Sequence, residues 1–188
     1  SDFNGRRKAG ESVTIKVEMD DIVTVTGNPQ ITLNTTEVVS YSGNSSNANG
    51  KTTLEFNYVV QAGQNIADLT VDQFDLNGGV ITDDVGLTMN VVTIPGGSNL
   101  GDNNNIIIDT TAPTLAITSS VNDGDRTNDA TLTMTFTFDE DVENFAIGDI
   151  TTGNGTMGNF QVSSASIYTA VFTPTAEGDC TIQVNGNV

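Results

Sequence analysis

Alternation with a period of two, written twice along the chain, is the feature that most limits how this sequence can fold. Residues 13–23 (VTIKVEMDDIV) and 132–142 (LTMTFTFDEDV) align without a gap. In the first run Val13, Ile15, Val17 and Met19 fall on one face, and Thr14, Lys16 and Glu18 on the other. In the second, Leu132, Met134, Phe136 and Phe138 oppose Thr133, Thr135 and Thr137. Successive side chains leave a strand on opposite sides, so each run predicts a strand with one buried and one wet face. Both runs close with an acidic step and a valine. A second matched block follows in the same order. TLEFNYVVQAG sets Leu54, Phe56, Tyr58 and Val60 on one face, and IYTAVFTPTAEG places Tyr168, Ala170 and Phe172 in the equivalent positions. Two blocks repeated in order within 188 residues predict two domains in tandem.

The rest of the chain agrees with strands joined by turns. Thr, Asn, Asp, Gly and Val dominate, and Lys plus Arg number only six, a composition that disfavours long helices. Gly27-Asn28-Pro29 predicts a turn, with a strand through Ile31 and Leu33 after it, and 42–51 (SGNSSNANGK) reads as a polar hairpin loop. Ile106, Ile107 and Ile108 read as the last strand of the first domain, and Leu115 to Ile117 as the first of the second. Pro113 suits the link between them, having no N–H for a ladder. The domains are therefore set at residues 1–109 and 110–188, with a link too short to act as a flexible tether.

On these segments, with DTTAPTLAI and FTFDEDVENFAIGDITTGNGT, the chain resembles bacterial-type Ig-like repeat domains, the extender modules of large cell-surface adhesins and other extracellular repeat proteins. The resemblance covers almost the whole chain. It implies an all-β fold: two tandem Ig-like β-sandwiches. The first lacks the leading strand that precedes KAGES in such modules. The second stops at NGNV without a last strand, so both are expected to be cut short at the chain ends, in a fragment of a longer protein. The implied role is a structural spacer in an extracellular or surface-anchored protein. Its partners would be neighbouring modules of the same chain, with lateral or end-to-end assembly.

The net charge of −18 repels nucleic acid and anionic lipid, and no apolar stretch is long enough to span a membrane. Such a surface suits cations. The acidic steps Asp20-Asp21 and Asp139-Glu140-Asp141, the loop Asp83-Asp84 and the linker residue Asp109 are the candidate calcium ligands. Calcium gathers six to eight oxygens from neighbouring loops, and in a sandwich these groups leave strands near a domain pole. The alternative reading is that acidic turns simply solvate and bend loops. The loop 122–129, with Asp123, Asp125 and Asp129 around Gly124, reads as an ordinary turn.

Catalysis has little to build on. There is no histidine, which excludes Ser-His-Asp and Cys-His arrangements, and with no Trp and three Tyr there is no aromatic platform for a sugar. Lys16 faces outward, against a buried lysine–asparagine crosslink. Cys180, the only cysteine, reads as a small buried hydrophobe in a strand. Sequons occur at Asn34, Asn44 and Asn154, the last two in apparent loops. The competing function is a ligand-binding module using loops 42–51 or 152–159, to be recognised by an exposed aromatic or apolar patch beside them.

Overall fold

The computed structural model describes residues 4–89 and 92–185. They form two compact units, the first running to Thr111 and the second beginning at Ala112. The first carries β1 (Gly5–Arg7), β2 (Ser12–Glu18), β3 (Val23–Thr26), β4 (Gln30–Leu33), β5 (Val38–Ser46), β6 (Thr52–Val59), β7 (Val71–Asp75), β8 (Val80–Asp83), the short helix α1 (Leu100–Asn103) and β9 (Ile106–Ile108). The second carries β10 (Leu115–Ser119), β11 (Leu132–Phe138), a 3₁₀ turn (Ile147–Asp149), β12 (Ile150–Gly153), β13 (Gly155–Val162), β14 (Ile167–Pro174) and β15 (Thr181–Val184). The fold is all-β, and both units are Ig-like sandwiches.

In the first unit a five-stranded sheet runs β2-β6-β5-β4-β7, accompanied by the pairs β3-β8 and β1-β9. In the second, a four-stranded sheet runs β10-β11-β14-β13 beside the pair β12-β15. The repeat seen in the sequence is a repeat of register. Val13, Ile15 and Val17 lie opposite Tyr58, Phe56 and Leu54. Leu132, Met134 and Phe136 lie opposite Phe172, Ala170 and Tyr168. The order β2-β6-β5 is thus matched by β11-β14-β13.

The same frame is filled differently. In the first unit Ile15, Ile31, Leu33, Leu54, Phe56 and Ile106 are each 2% exposed or less, a largely aliphatic core. In the second, Phe145 sits among aromatic rings, 5.1 Å from Phe138 and 5.0 Å from Tyr168 between centroids, both edge-on. Ala170 makes room for these larger neighbours at the place Phe56 holds in the first unit. Burying one such side chain contributes about 1.5–3 kcal/mol, so a few interlocked strands suffice for a core.

Two buried hydroxyls tie neighbouring segments together. Thr52, 7% exposed, accepts the Val23 N–H at 2.8 Å and so joins β3 to β6. The Tyr168 hydroxyl lies 3.0 Å from the Ala165 carbonyl and 3.2 Å from that of Val142, pinning two loops to β14. Tyr168→Phe keeps the ring and removes that tie. A loss of about 1 kcal/mol is expected, read as a fall of roughly 4–8 °C in the second unit's melting temperature.

Three expectations need correction. A strand does precede KAGES: β1 is three residues long and runs parallel to β9. It escapes the period-two pattern because it is short and polar, and it does not pair with β2 as β10 pairs with β11. The hairpin loop begins later than residue 42, since β5 continues to Ser46 and only 47–50 turn. Cys180 is exposed and lies just before β15, its sulfur 3.6 Å from the Asn154 carbonyl.

Candidate functional site

The acidic steps end up where strands leave the sheets. In the first unit β2 ends at Glu18 and β3 starts at Val23, which lies opposite Asp83 at the end of β8. Asp20, Asp21, Asp83 and Asp84 therefore flank one end of the β3-β8 pair. Local geometry occupies much of their hydrogen-bonding capacity. The Asp83 carboxylate accepts the Leu87 N–H at 2.6 Å and the Val85 N–H at 3.1 Å, closing the turn after β8. The Asp21 carboxylate accepts the Ile22 N–H at 2.7 Å, and the Asp20 carbonyl accepts the Lys51 ammonium. Asp84 is exposed.

Asp109, at the far end of β9, takes an Arg6 N–H at 2.8 Å and the Thr111 N–H at 3.2 Å. That ion pair is open to water, the two side chains being 57% and 24% exposed, so it contributes little to stability. In the second unit Asp139 grips Thr114, accepting its N–H and its hydroxyl at 2.7 Å each. Glu140 is half-buried and Asp141 exposed. Among the described residues no three acidic side chains gather into a group that would hold a metal ion. What this arrangement does chemically is cap turns: aspartate oxygens replace backbone partners that the loops lack.

The titration of Asp139 is clearly displaced. The Thr114 hydroxyl, then the Thr114 N–H, favours the ionised form and holds its pKa below the ordinary 3.8. A depressed folded pKa means that its contribution is present above the unfolded value and disappears as pH falls through the folded one. Melting of the second unit between pH 5 and 2 checks this. The Asp139→Asn chain, which cannot titrate at that position, is expected to show a shallower acid dependence than the parent.

The sequons have distinct settings. Asn34 accepts the Thr70 N–H at 3.0 Å and donates to the Asp68 carbonyl at 2.9 Å, bridging two loops. Asn154 has φ of 55° and donates to the Ala176 carbonyl at 3.1 Å, so it is a half-buried turn residue. Asn44 is exposed, but within β5 rather than in a loop. Lys16 points outward as expected, 3.7 Å from Glu55. In the 122–129 loop Asp125 accepts from the Asn122 amide at 3.0 Å and Asp129 from the Thr127 hydroxyl at 2.7 Å, the contacts of an ordinary turn.

Sequence reasoning missed a group of exposed aliphatic side chains at the acidic end of the β3-β8 pair. Ile22, Val85 and Leu87 are 54%, 76% and 69% exposed. The acidic residues around them drew the reading toward solvation, and DDVGL is too short to show a period. Loops 42–51 and 152–159 present mainly polar side chains, and Met157 packs against the second core.

Residues 109–188 match the family model described as a bacterial Ig-like domain. No curated protein matches the chain. Among the described residues no helix is long and apolar enough to cross a membrane.

Proposed function

We propose that this chain, whose residues 109–188 are a bacterial Ig-like domain, is a structural spacer segment of a large secreted or surface-anchored protein of the adhesin or filament type. One observation carries the reading: the paired registers of β2-β6 and β11-β14 repeat position for position, so the chain writes one sandwich plan twice. Modules multiplied in this way extend a protein, and each copy has only to fold and stay folded. Domains of this family are typically extracellular and without enzymatic activity. The partners in this reading are neighbouring modules of the same long chain and, in a filament, other copies of it.

Calcium enters through the charge. A net −18 on 188 residues is self-repelling, and a divalent cation held among Asp20, Asp21, Asp83 and Asp84 in the first unit, at Asp109, or at Asp139, Glu140 and Asp141 in the second, would relieve that repulsion and stiffen the unit that holds it. Melting with millimolar calcium is expected to exceed melting in chelator, with magnesium giving a smaller rise. Equal melting temperatures in all three would remove calcium from the proposal.

The spacer role is tested by presenting the full chain to arrays of glycans and extracellular-matrix proteins. No saturable binding is expected. A saturable ligand lost on replacing residues in loops 42–51 or 152–159 would make the chain an adhesive module instead.

A further inference from the structure

An asparagine followed by glycine is the kind most prone to lose its amide, because a glycine N–H, unshielded by a side chain, reaches the asparagine carboxamide carbon most easily. Among the described residues the pair occurs at Asn49, Asn77 and Asn154. The fold holds two of them closed. Asn154 donates to the Ala176 carbonyl at 3.1 Å and accepts the Thr175 hydroxyl at 3.3 Å, and a Cβ at its neighbour Gly155 would collide with the Phe172 ring. Asn77, at φ 49°, donates to the Asn28 carbonyl at 3.3 Å, and Gly79 closes its turn on the Leu76 carbonyl at 2.7 Å. That turn is pressed against the backbone of Thr26 and Gly27, leaving no room for it to rearrange.

Asn49 is placed differently. It sits at the tip of the hairpin between β5 and β6, exposed together with Ala48 and Gly50. Its N–H donates to the Asn47 side-chain oxygen at 2.9 Å, while its own carboxamide has no hydrogen-bond partner among the described residues. A single turn bond restrains the attacking atom, the Gly50 N–H on the Asn47 carbonyl at 3.0 Å, and an exposed bond of that kind opens readily. We propose that Asn49 is a site of spontaneous succinimide formation, whose products reset this hairpin. The Gly50 nitrogen gives its proton to base and attacks the Asn49 Cγ. The bond from Cγ to the side-chain nitrogen breaks, and that nitrogen takes up a proton and leaves as ammonia. Water then adds to either carbonyl of the ring, opening it to aspartate or, with the main chain rerouted through the side chain, to isoaspartate. Either product adds a negative charge to the loop. Isoaspartate also lengthens the backbone by one carbon inside a turn that Asn47 closes, donating to the Lys51 carbonyl at 2.8 Å and accepting the Lys51 N–H at 3.0 Å. Those closing bonds then fall out of line, and the Lys51 ammonium loses its fixed place on the Asp20 carbonyl. The proposal goes beyond the spacer reading and does not depend on it.

The intact chain is kept folded in mildly alkaline buffer at physiological temperature, sampled over weeks, and mapped by mass spectrometry with fragmentation that separates aspartate from isoaspartate. Asn49 is expected to convert at least about tenfold faster than Asn77 or Asn154, giving both products, at a rate that rises with hydroxide. In denaturant the three sites should convert at similar rates, since each is the same residue pair freed of its fold. Asn49→Gln, whose longer side chain must close a six-membered ring, should leave the loop unconverted. Amide exchange reads the consequence. After conversion the Asn49 and Lys51 amides should exchange about tenfold faster or more, with that of Phe56, in the middle of β6, unchanged. Conversion of Asn77 or Asn154 as fast as Asn49 in the folded chain, a difference that survives denaturation, or aspartate formed without isoaspartate would overturn the proposal. Conversion of the Asn49→Gln loop at the parent's rate would do the same. Equal amide protection before and after conversion would overturn the claim that the hairpin is reset.

Discussion

Phe136→Ala is expected to cost the second unit about 3–5 kcal/mol, enough to leave it largely unfolded at physiological temperature. The ring is 0% exposed and lies 5.6 Å from Phe145 between centroids. Its backbone stands between β10 and β14, opposite Ile117 and Tyr168. Collapse into the hole is resisted, because Phe145 is itself held edge-on by Phe138 and Tyr168. The first unit has a separate core, which includes Ile15, Leu54 and Phe56. Differential scanning calorimetry should accordingly show one transition lost or moved far down while the other stays within a degree or two. A single transition shifting as a whole would show that the two cores do not melt independently.

Gly79→Ala is the second large effect, and its cause is collision. A Cβ at Gly79 would stand 2.6 Å from the Thr26 carbonyl oxygen and 2.9 Å from that of Leu76. Both obstacles are backbone, so no side-chain rotation relieves them, and the end of the β3-β8 pair must open. The neighbour across the gap is also glycine: a Cβ on Gly27, at φ +88°, would lie 2.7 Å from the Gly79 Cα. A loss of about 3 kcal/mol from the first unit is expected. Gly78 is the internal comparison. It has φ +72° and nothing within 4 Å of its missing Cβ, so Gly78→Ala pays only for conformation, about 1–2 kcal/mol. Chemical denaturation of the two variants should rank them in that order. Equal losses would mean that the close approach relaxes freely.

The framework was legible in the sequence because burial in a sandwich imposes the period that strands display. Leu54, Phe56, Tyr58 and Val60 were placed on one face by alternation alone, and all four are buried. Elements held by something other than burial were hidden. β1 is GRR, its place set by parallel hydrogen bonding to residues about a hundred positions away. Phe145 packs at the centre of the second core from a segment outside the strands, where no period marks it. Cys180 sits where a turn ends and a strand begins, and a shift of one or two residues there changes a buried side chain to an exposed one.

The acidic residues show a similar division. Their positions at strand exits could be read from the sequence, but their partners could not. Asp83 closes on amides two and four residues ahead, Asp139 on Thr114 twenty-five residues back, and Asp109 on Arg6 across the whole first unit. Charge density is a property of composition, whereas the direction in which a carboxylate points is decided by loop closure.

The parallel pairing of β1 with β9 bears on how the first unit responds to a pull. Gly5 stands beside Ile106 and Arg7 beside Ile108, so the entering and leaving segments run in the same direction. Tension applied through those two segments draws the strands lengthwise past one another. The hydrogen bonds between them, with the Arg6–Asp109 contact, are then loaded together in shear and cannot be peeled open one at a time. A three-residue strand that adds little to the core can in this way act as the latch against stretching.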